Sequence, residues 1–231
     1  MNISEINYQQ FLDEYPISIE ELCRNIYLNN ADSIKIKKEG LAVKNLQLIL
    51  ETVFQISLKK GFHAMSLRDL SKESGLSMGA LYNYFSSKEE LLKMIFAEGQ
   101  SLIRDVFKEN LDLQFSCRIK LKRAICYHLY LSEALQKVFY FLFMEAKNLE
   151  PDVKKKTLSL EQSTEKVFED ILKQGITAGE FKMKELSLHV MAIKALLQDW
   201  YLKRYRFSQK KINIETYASF VTEYVFSNLG R

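Results

Sequence analysis

The sequence predicts an all-α protein in two parts, an N-terminal helix-turn-helix domain followed by a larger helical domain. Only two prolines and eight glycines punctuate 231 residues, too few for a turn-rich β protein. Long Leu-, Lys-, Glu- and Ala-rich stretches repeat their apolar residues at the helical period. The segment Ser66–Lys88, SLRDLSKESGLSMGALYNYFSSK, reads as two short helices around a glycine turn, with a third helix starting directly behind them.

Residues 1–43 are expected to form a helical extension ending in a basic arm. A first helix is expected around Ser4–Glu14. After Pro16, Ser18 and Glu21 make an S-x-x-E capping box that starts a helix over Ser18–Leu28. Asn29 and Asn30 break it. In Ser33–Glu39, SIKIKKE, the lysines Lys35, Lys37 and Lys38 cluster, and Lys44 follows. A solvated charge run accounts for such a cluster. An arm that touches phosphates or the minor groove is the functional alternative.

Residues 44–99 hold the helix-turn-helix. Leu46–Lys60 predicts its first helix, with Leu46, Ile49, Leu50, Val53, Phe54 and Ser57 on one face. Ser66 is an N-cap with Asp69 at the capping-box position, and Leu67 and Leu70 form the buried stripe behind it, with Arg68 pointing outward. Gly75 ends this helix in the left-handed region that glycine enters cheaply. Ser77 caps the next helix, which buries Leu81 and Phe85. Its other side is Met78, Gly79, Ala80, Asn83 and Tyr84. Helix, glycine turn and helix is the geometry that lays a second helix into the major groove of DNA. On that surface Met78, Ala80, Asn83 and Tyr84 are candidates for base reading. Asn can pair with adenine, and Met or Ala can touch thymine methyls. Ser66 and Ser77 are caps that could also donate to phosphates, and Gly79 lets the backbone approach the groove. Ser87, with Glu90 three residues on, starts a long helix that runs to about Asn110 and is shared by both parts.

Residues 100–231 predict a second domain with five helices from Cys117 onward, at roughly 117–131, 133–148, 151–177, 184–206 and 213–228. Ser132 is read as the cap of the second, Pro151 as a first-turn residue of the third, Gly175 and Gly179 as its end, and Asn213 as the cap of the last. The last two helices are apolar on more than one side. Leu186, Val190, Ile193, Leu197 and Tyr201 make one stripe, which Leu188, Met191, Ala195 and Leu202 widen. Tyr217, Val221 and Tyr224 line the final helix, with Phe220 and Val225 beside them. A helix apolar on two sides needs two partners.

Charge narrows the function less than the motif does. The net charge is +4, with 4 basic and 7 acidic side chains in residues 1–40 and 7 basic and 6 acidic in residues 41–100. Contact with DNA must then come from placed side chains and helix ends rather than a bulk basic field. Three cysteines, Cys23, Cys117 and Cys126, lack metal-site spacing and suit buried thiols in a reducing cytoplasm. No secretion signal is apparent, and the most apolar stretch, Val138–Met144, is too short to span a bilayer. Gly75-Leu76-Ser77-Met78-Gly79 satisfies the G-x-S-x-G pattern of a hydrolase nucleophile elbow. That elbow needs a strand before the serine, and here a polar helix stands there, so an enzyme is not expected. The three histidines are too scattered for a metal site, and no cofactor motif is present.

The helix-turn-helix residues also match a known pattern. Phe54, Lys60-Gly61-Phe62, Ser66, Leu70, Gly75-Leu76-Ser77, Gly79, Leu81-Tyr82, Tyr84-Phe85 and Ser87-Lys88 with Leu91 resemble the DNA-binding domain of TetR-family transcriptional repressors over roughly residues 44–99. Ala80 stands where threonine is frequent in that family, and Tyr84 where histidine is. The resemblance implies that Tyr82 and Lys88 grip phosphate oxygens. It also implies a homodimer on a palindromic operator, with two helices from each subunit forming the interface. The dimer stripe is then Leu186, Val190, Ile193, Leu197, Tyr217, Val221 and Tyr224. The second domain would hold an effector, with Tyr127, Tyr130, Phe139, Tyr140, Phe143, Met144, His189 and Trp200 supplying the aromatic surface. An apolar, aromatic or fatty-acyl compound fits such a surface. Glu145-Ala146-Lys147 and Trp200–Arg204 look like features of one branch of that family. The function implied is a ligand-released repressor, with an activator or constitutive DNA binder of the same fold as the alternative.

Overall fold

The computed structural model describes residues 7–110, 114–145 and 151–230, and the side chains of these except 109, 110 and 151–163. Among the described residues there are twelve helices and no strand. In order they are α1 (Tyr8–Glu14), α2 (Ile19–Asn29), α3 (Glu39–Lys60), α4 (Leu67–Ser74), α5 (Met78–Leu81) and α6 (Lys88–Asn110), followed by α7 (Cys117–Ala134), α8 (Gln136–Glu145), α9 (Pro151–Thr177), α10 (Leu186–Leu202), α11 (Arg204–Gln209) and α12 (Ile214–Asn228). They group into two compact units. One comprises Ile17–Leu102 and Lys137–Thr157, the other Met1–Pro16, Ile103–Gln136 and Leu158–Arg231. The segment expected as one extension is thus divided: α1 belongs with the C-terminal helices and α2 with the helix-turn-helix.

In the first unit α2 lies on α3. Ser18 caps α2 by accepting the Glu21 N–H at 3.1 Å, and its apolar side buries Leu22, Cys23, Ile26 and Tyr27. Burial pushes the Cys23 thiol up to about 12, with Glu51 and Glu20 adding to the shift, so this thiol stays protonated and inert. Arg24 pairs with Glu20, Glu21 and Glu39, joining the two helices across their ends. Helix α3 begins seven residues before Leu46, and the buried Ala42 and Val43 extend its core face by about one turn. It is long and apolar enough to cross a membrane, yet its apolar residues make the core of this unit. Helix α8 joins the same core. The Phe141 ring sits 5.2 Å from Phe54 and 5.6 Å from Phe62.

In the second unit α7 is surrounded by α1, α10 and α12. Phe11 of α1 is fully buried, with its ring 5.4 Å from Tyr127 and 5.6 Å from Tyr130. The Tyr8 N–H donates to Glu215 at the start of α12 at 3.1 Å. Three boundaries differ from expectation. Ser132 is buried inside α7 and donates to the Leu129 carbonyl at 2.8 Å, so the break falls at Leu135 instead. Gly175 lies within α9, where a Cβ would stand 2.0 Å from the Phe181 ring, and the turn is made by Gly179 at φ +72°. The expected 184–206 helix divides at Lys203 into α10 and α11, which lets Arg204 turn back over the Trp200 ring at 4.5 Å. The start of the first expected helix at Ser4, the last residues of 133–148, and Ala146 and Lys147 lie outside the described residues.

Candidate nucleic-acid interface

The helix-turn-helix is assembled from short-range bonds that its sequence encodes. Ser66 accepts the Asp69 N–H at 3.1 Å while Asp69 accepts the Ser66 N–H at 2.8 Å, a reciprocal capping box. Lys60, at the end of α3, reaches the same carboxylate at 2.9 Å. Lys60, together with the Ser66 donors, holds the Asp69 carboxyl well below the ordinary carboxylate range. The start of α4 is thereby tied to the end of α3. Gly75 adopts φ 72° and ends α4, and the Ser71 hydroxyl donates across the turn to Leu76 O at 2.6 Å. Ser77 caps α5 by accepting the Ala80 N–H at 3.1 Å.

Helix α5 is a single turn, held by what lies under it. Leu81, Tyr84 and Phe85 are buried, whereas Ser77, Gly79 and Tyr82 are exposed and Met78, Ala80 and Asn83 half-buried. Tyr82 is 45% exposed. Tyr84 does not share that surface. Beyond Leu81 the bonds tighten to Asn83 N–H to Ala80 O and Tyr84 N–H to Leu81 O, which rotates Tyr84 inward. There its hydroxyl accepts from Asn45 Nδ2 of α3 at 2.9 Å, and burial raises its pKa above the usual phenol. Of the expected base readers, Met78, Ala80 and Asn83 remain on the outer side.

Lys88 stands at the first position of α6, with Ser87 accepting the Glu90 N–H at 3.1 Å behind it. Its ammonium donates to the carbonyls of His63 and Met65 at 2.7 and 3.0 Å. A lysine has three N–H donors, so these carbonyls leave one uncommitted, and the ammonium lies 5.7 Å from the Phe62 ring. The loop that Lys88 clips, Gly61–Ser66, is clipped from its other end by Glu145 of α8, which accepts the buried Phe62 N–H at 3.2 Å. Sequence reasoning singled out Glu145 as a branch feature but gave it no role, because the Phe62 N–H it accepts lies 83 residues away. Ser66 and Arg68 are exposed beside this loop. In the arm, Lys35, Lys37, Lys38 and Lys44 are exposed. Lys37 folds back on the carbonyls of Ala31 and Ile34 at 3.1 and 3.3 Å, and the Lys35 N–H donates to Asn83 O at 2.9 Å. In the G-x-S-x-G pattern, Ser77 is a helix cap between two helices rather than a serine behind a strand.

The aromatic residues assigned to an effector surface divide between the units. Phe139, Tyr140, Phe143 and Met144 lie on α8 in the first, with Phe143 and Met144 exposed at 38% and 37%. Tyr127, Tyr130, His189 and Trp200 lie in the second. Tyr127 and Tyr130 pack on Phe11 and Tyr8 of α1. An N-terminal signal for this existed in the Asn7–Gln10 capping box and the Phe11–Tyr15 spacing. Trp200 is fully buried, stacked 5.1 Å from Tyr217, and its indole N–H donates to Glu133 at 2.9 Å. Glu133 also takes two bonds from Arg204, each 3.0 Å. Of the expected dimer stripe, Val190, Ile193, Leu197, Tyr217 and Val221 are buried within the subunit, Leu186 is half-buried, and Tyr224 is 51% exposed. The outer side of the same two helices carries Leu188, Met191 and Phe220 at 60%, 61% and 56% exposure.

Two family profiles match this chain and together cover more than half of it. "Bacterial regulatory proteins, tetR family" matches residues 49–95, and "Tetracyclin repressor-like, C-terminal domain" matches residues 116–223. The chain belongs to the TetR family of transcriptional regulators. Among curated relatives, the fatty acid metabolism regulator protein of Bacillus subtilis is 22% identical over 58% of this chain and 69% of its own length. The regulator PksA of the same organism is 36% identical over 29% of this chain and 32% of its own. Among solved structures, a TetR-family regulatory protein from Rhodococcus RHA1 superposes with a TM-score of 0.71 at 22% identity, covering 81% of this chain and 97% of that one. FadR from Bacillus subtilis in complex with stearoyl-CoA does so with a TM-score of 0.62 at 19% identity, covering 78% and 97%. Both are likenesses of the TetR fold.

Proposed function

We propose that this TetR-family regulator is a homodimeric cytoplasmic repressor that holds a palindromic operator and releases it when its C-terminal helices take up a small apolar, aromatic or fatty-acyl effector. The observation that carries the DNA half is the division of labour in α5. Leu81, Tyr84 and Phe85 anchor it, while Met78, Ala80, Tyr82 and Asn83 are left facing outward. Tyr82 and the remaining donor of Lys88 hold phosphates, and Met78, Ala80 and Asn83 meet base edges.

One turn of reading helix is too small a contact to select a site alone. Two copies in successive major grooves, about 34–36 Å apart, need a two-fold partner. Five residues of the stripe expected to meet that partner, Val190, Ile193, Leu197, Tyr217 and Val221, lie in the subunit core, while Tyr224 stays exposed. The partner face is the outer side of α10 and α12, with Leu188, Met191, Phe220 and Tyr224, whose exposed apolar groups match those of a second copy. The fatty-acyl class of effector is supported by the likeness to the Bacillus subtilis fatty acid regulator. Inside the first unit, α8 touches Phe54 and Phe62 and bonds the loop before α4 through Glu145, so displacing α8 would move the reading head. An effector releases DNA only by preferring the arrangement that binds it poorly.

The test is selection of bound sequences from a random duplex pool, followed by titration with stearoyl-CoA. A palindrome should emerge, Asn83→Ala should change its base preference, and the acyl ligand should lower operator affinity about 5- to 150-fold. Enrichment of no sequence would overturn the regulator reading. Enrichment of a palindrome that no acyl or aromatic compound weakens would leave a constitutive DNA binder.

A further inference from the structure

The segment between α2 and α3 adjoins the reading turn. Its Lys35 N–H donates to Asn83 O at 2.9 Å, two residues past the end of α5. The segment is not a loose tail. Ile34 is fully buried, and its N–H and that of Ser33 both donate to Asn30 O, at 2.9 and 3.1 Å. The Tyr27 hydroxyl of α2 donates to Lys37 O at 3.2 Å. Helix α2 is in turn fixed to α3 by the Arg24 cluster and to α6 by Asn29 Nδ2, which donates to Glu98 at 2.8 Å.

This frame sorts the lysines. The Lys37 ammonium gives two of its three donors to the carbonyls of Ala31 and Ile34, which folds its side chain back along the segment. Lys35 and Lys38 are exposed and make no ion pair among the described residues. On the reading above, a cation beside Asn83 lies next to the groove that α5 enters, and charges closer than about 8–10 Å are not fully screened at physiological salt.

We propose that Lys35 and Lys38 form a second DNA-contacting element, a rigid basic edge beside the reading turn that neutralises backbone phosphates flanking each half-site. The inference rests on the DNA-binding reading above and adds residues that the helix-turn-helix itself does not supply. It also accounts for the placement of charge in the first 40 residues, where a net acidic segment carries three of its four basic side chains at 35–38.

The experiment compares the full-length protein with the Lys35→Ala/Lys38→Ala double variant on the selected operator and on unrelated duplex, across salt. The alanine at 35 keeps the backbone N–H, so the bond to Asn83 O survives and only charge is removed. Each neutralised phosphate contributes about 0.9 to the slope of log K against log salt, so a dimer losing four contacts should show a slope shallower by about 3.6. Between 50 and 200 mM salt it should lose about 150-fold less affinity than the unmodified protein does. Base preference should stay unchanged, and Lys35→Arg/Lys38→Arg should restore the slope. An unaltered slope in the alanine variant, with the unmodified protein binding its operator, overturns the basic edge and leaves the regulator reading intact. Failure of the unmodified protein to bind any operator would instead overturn that underlying reading.

Discussion

The neighbours Phe220 and Val221 should answer the same substitution in opposite ways. Val221 is fully buried against the subunit's own helices, while Phe220 is 56% exposed one position earlier on α12. An aspartate at Val221 would place a carboxyl in the core, costing more than about 4 kcal/mol once lost apolar burial is added to desolvation. That is a large part of the 5–15 kcal/mol that holds a typical fold. At Phe220 the subunit would lose little. The proposed interface would lose much more. Fully burying a large apolar side chain is worth about 1.5–3 kcal/mol, so the exposed half of Phe220 contributes about 1 kcal/mol per protomer. Phe220→Asp removes that twice and sets two carboxylates against apolar partners. A loss of about 2–4 kcal/mol raises the dimer Kd about 30- to 1,000-fold. Sedimentation equilibrium and circular dichroism would separate the two. Phe220→Asp should be a folded monomer with weakened operator binding, and Val221→Asp should be unfolded or sharply destabilised. A Phe220→Asp protein that stays dimeric at micromolar concentration refutes the assignment of this face.

Trp200, once a candidate effector contact, should behave as a keystone. Trp200→Ala should lower stability by about 3–5 kcal/mol in urea titration, whereas Trp200→Phe keeps a ring against Tyr217 while losing the bond to Glu133 and part of the buried volume, and should cost less; equal stabilities of the two variants would refute the packing role. His128 gives a pH signature. It is buried, and burial, with the Lys194 ammonium second, holds its imidazole well below the usual range. Below about pH 6.5 the unfolded chain takes up a proton there that the folded chain does not, so stability falls as pH drops, by up to about 1.4 kcal/mol per unit from this group. Urea midpoints from pH 7.5 to 5.5 should fall less steeply for His128→Gln than for the unmodified protein, and identical slopes would refute it.

Most of the helix-turn-helix was legible because its determinants are local. Ser66, Gly75 and Ser77 act within four residues of where they stand, so spacing alone placed α4, the turn and α5. What escaped depends on distant chain. Tyr84 shares the spacing of an outward residue, and only the tightened bonds after Leu81 and the amide of Asn45 turn it inward. In α10 both Val190 with Ile193 and Leu188 with Met191 are apolar pairs at helical spacing, and periodicity cannot say which pair the core will take. Tyr127 and Tyr130 looked surplus because their partner, Phe11, lies more than a hundred residues away. Lys88 was legible as a cation at a helix start, but not its bonds to His63 and Met65.

The one-turn helix α5 has a consequence for how such a protein changes over generations. Its outward residues, Met78, Ala80 and Asn83, carry little of the fold, which rests on Leu81, Tyr84 and Phe85 beneath them. Outward substitutions should therefore shift stability by no more than about 0.5 kcal/mol, and on the proposed reading they alter which bases are met. The address and the scaffold can then vary independently. On the proposed reading, a duplicated copy acquires a new operator through two or three exchanges on this turn, and the rest of the fold is inherited whole.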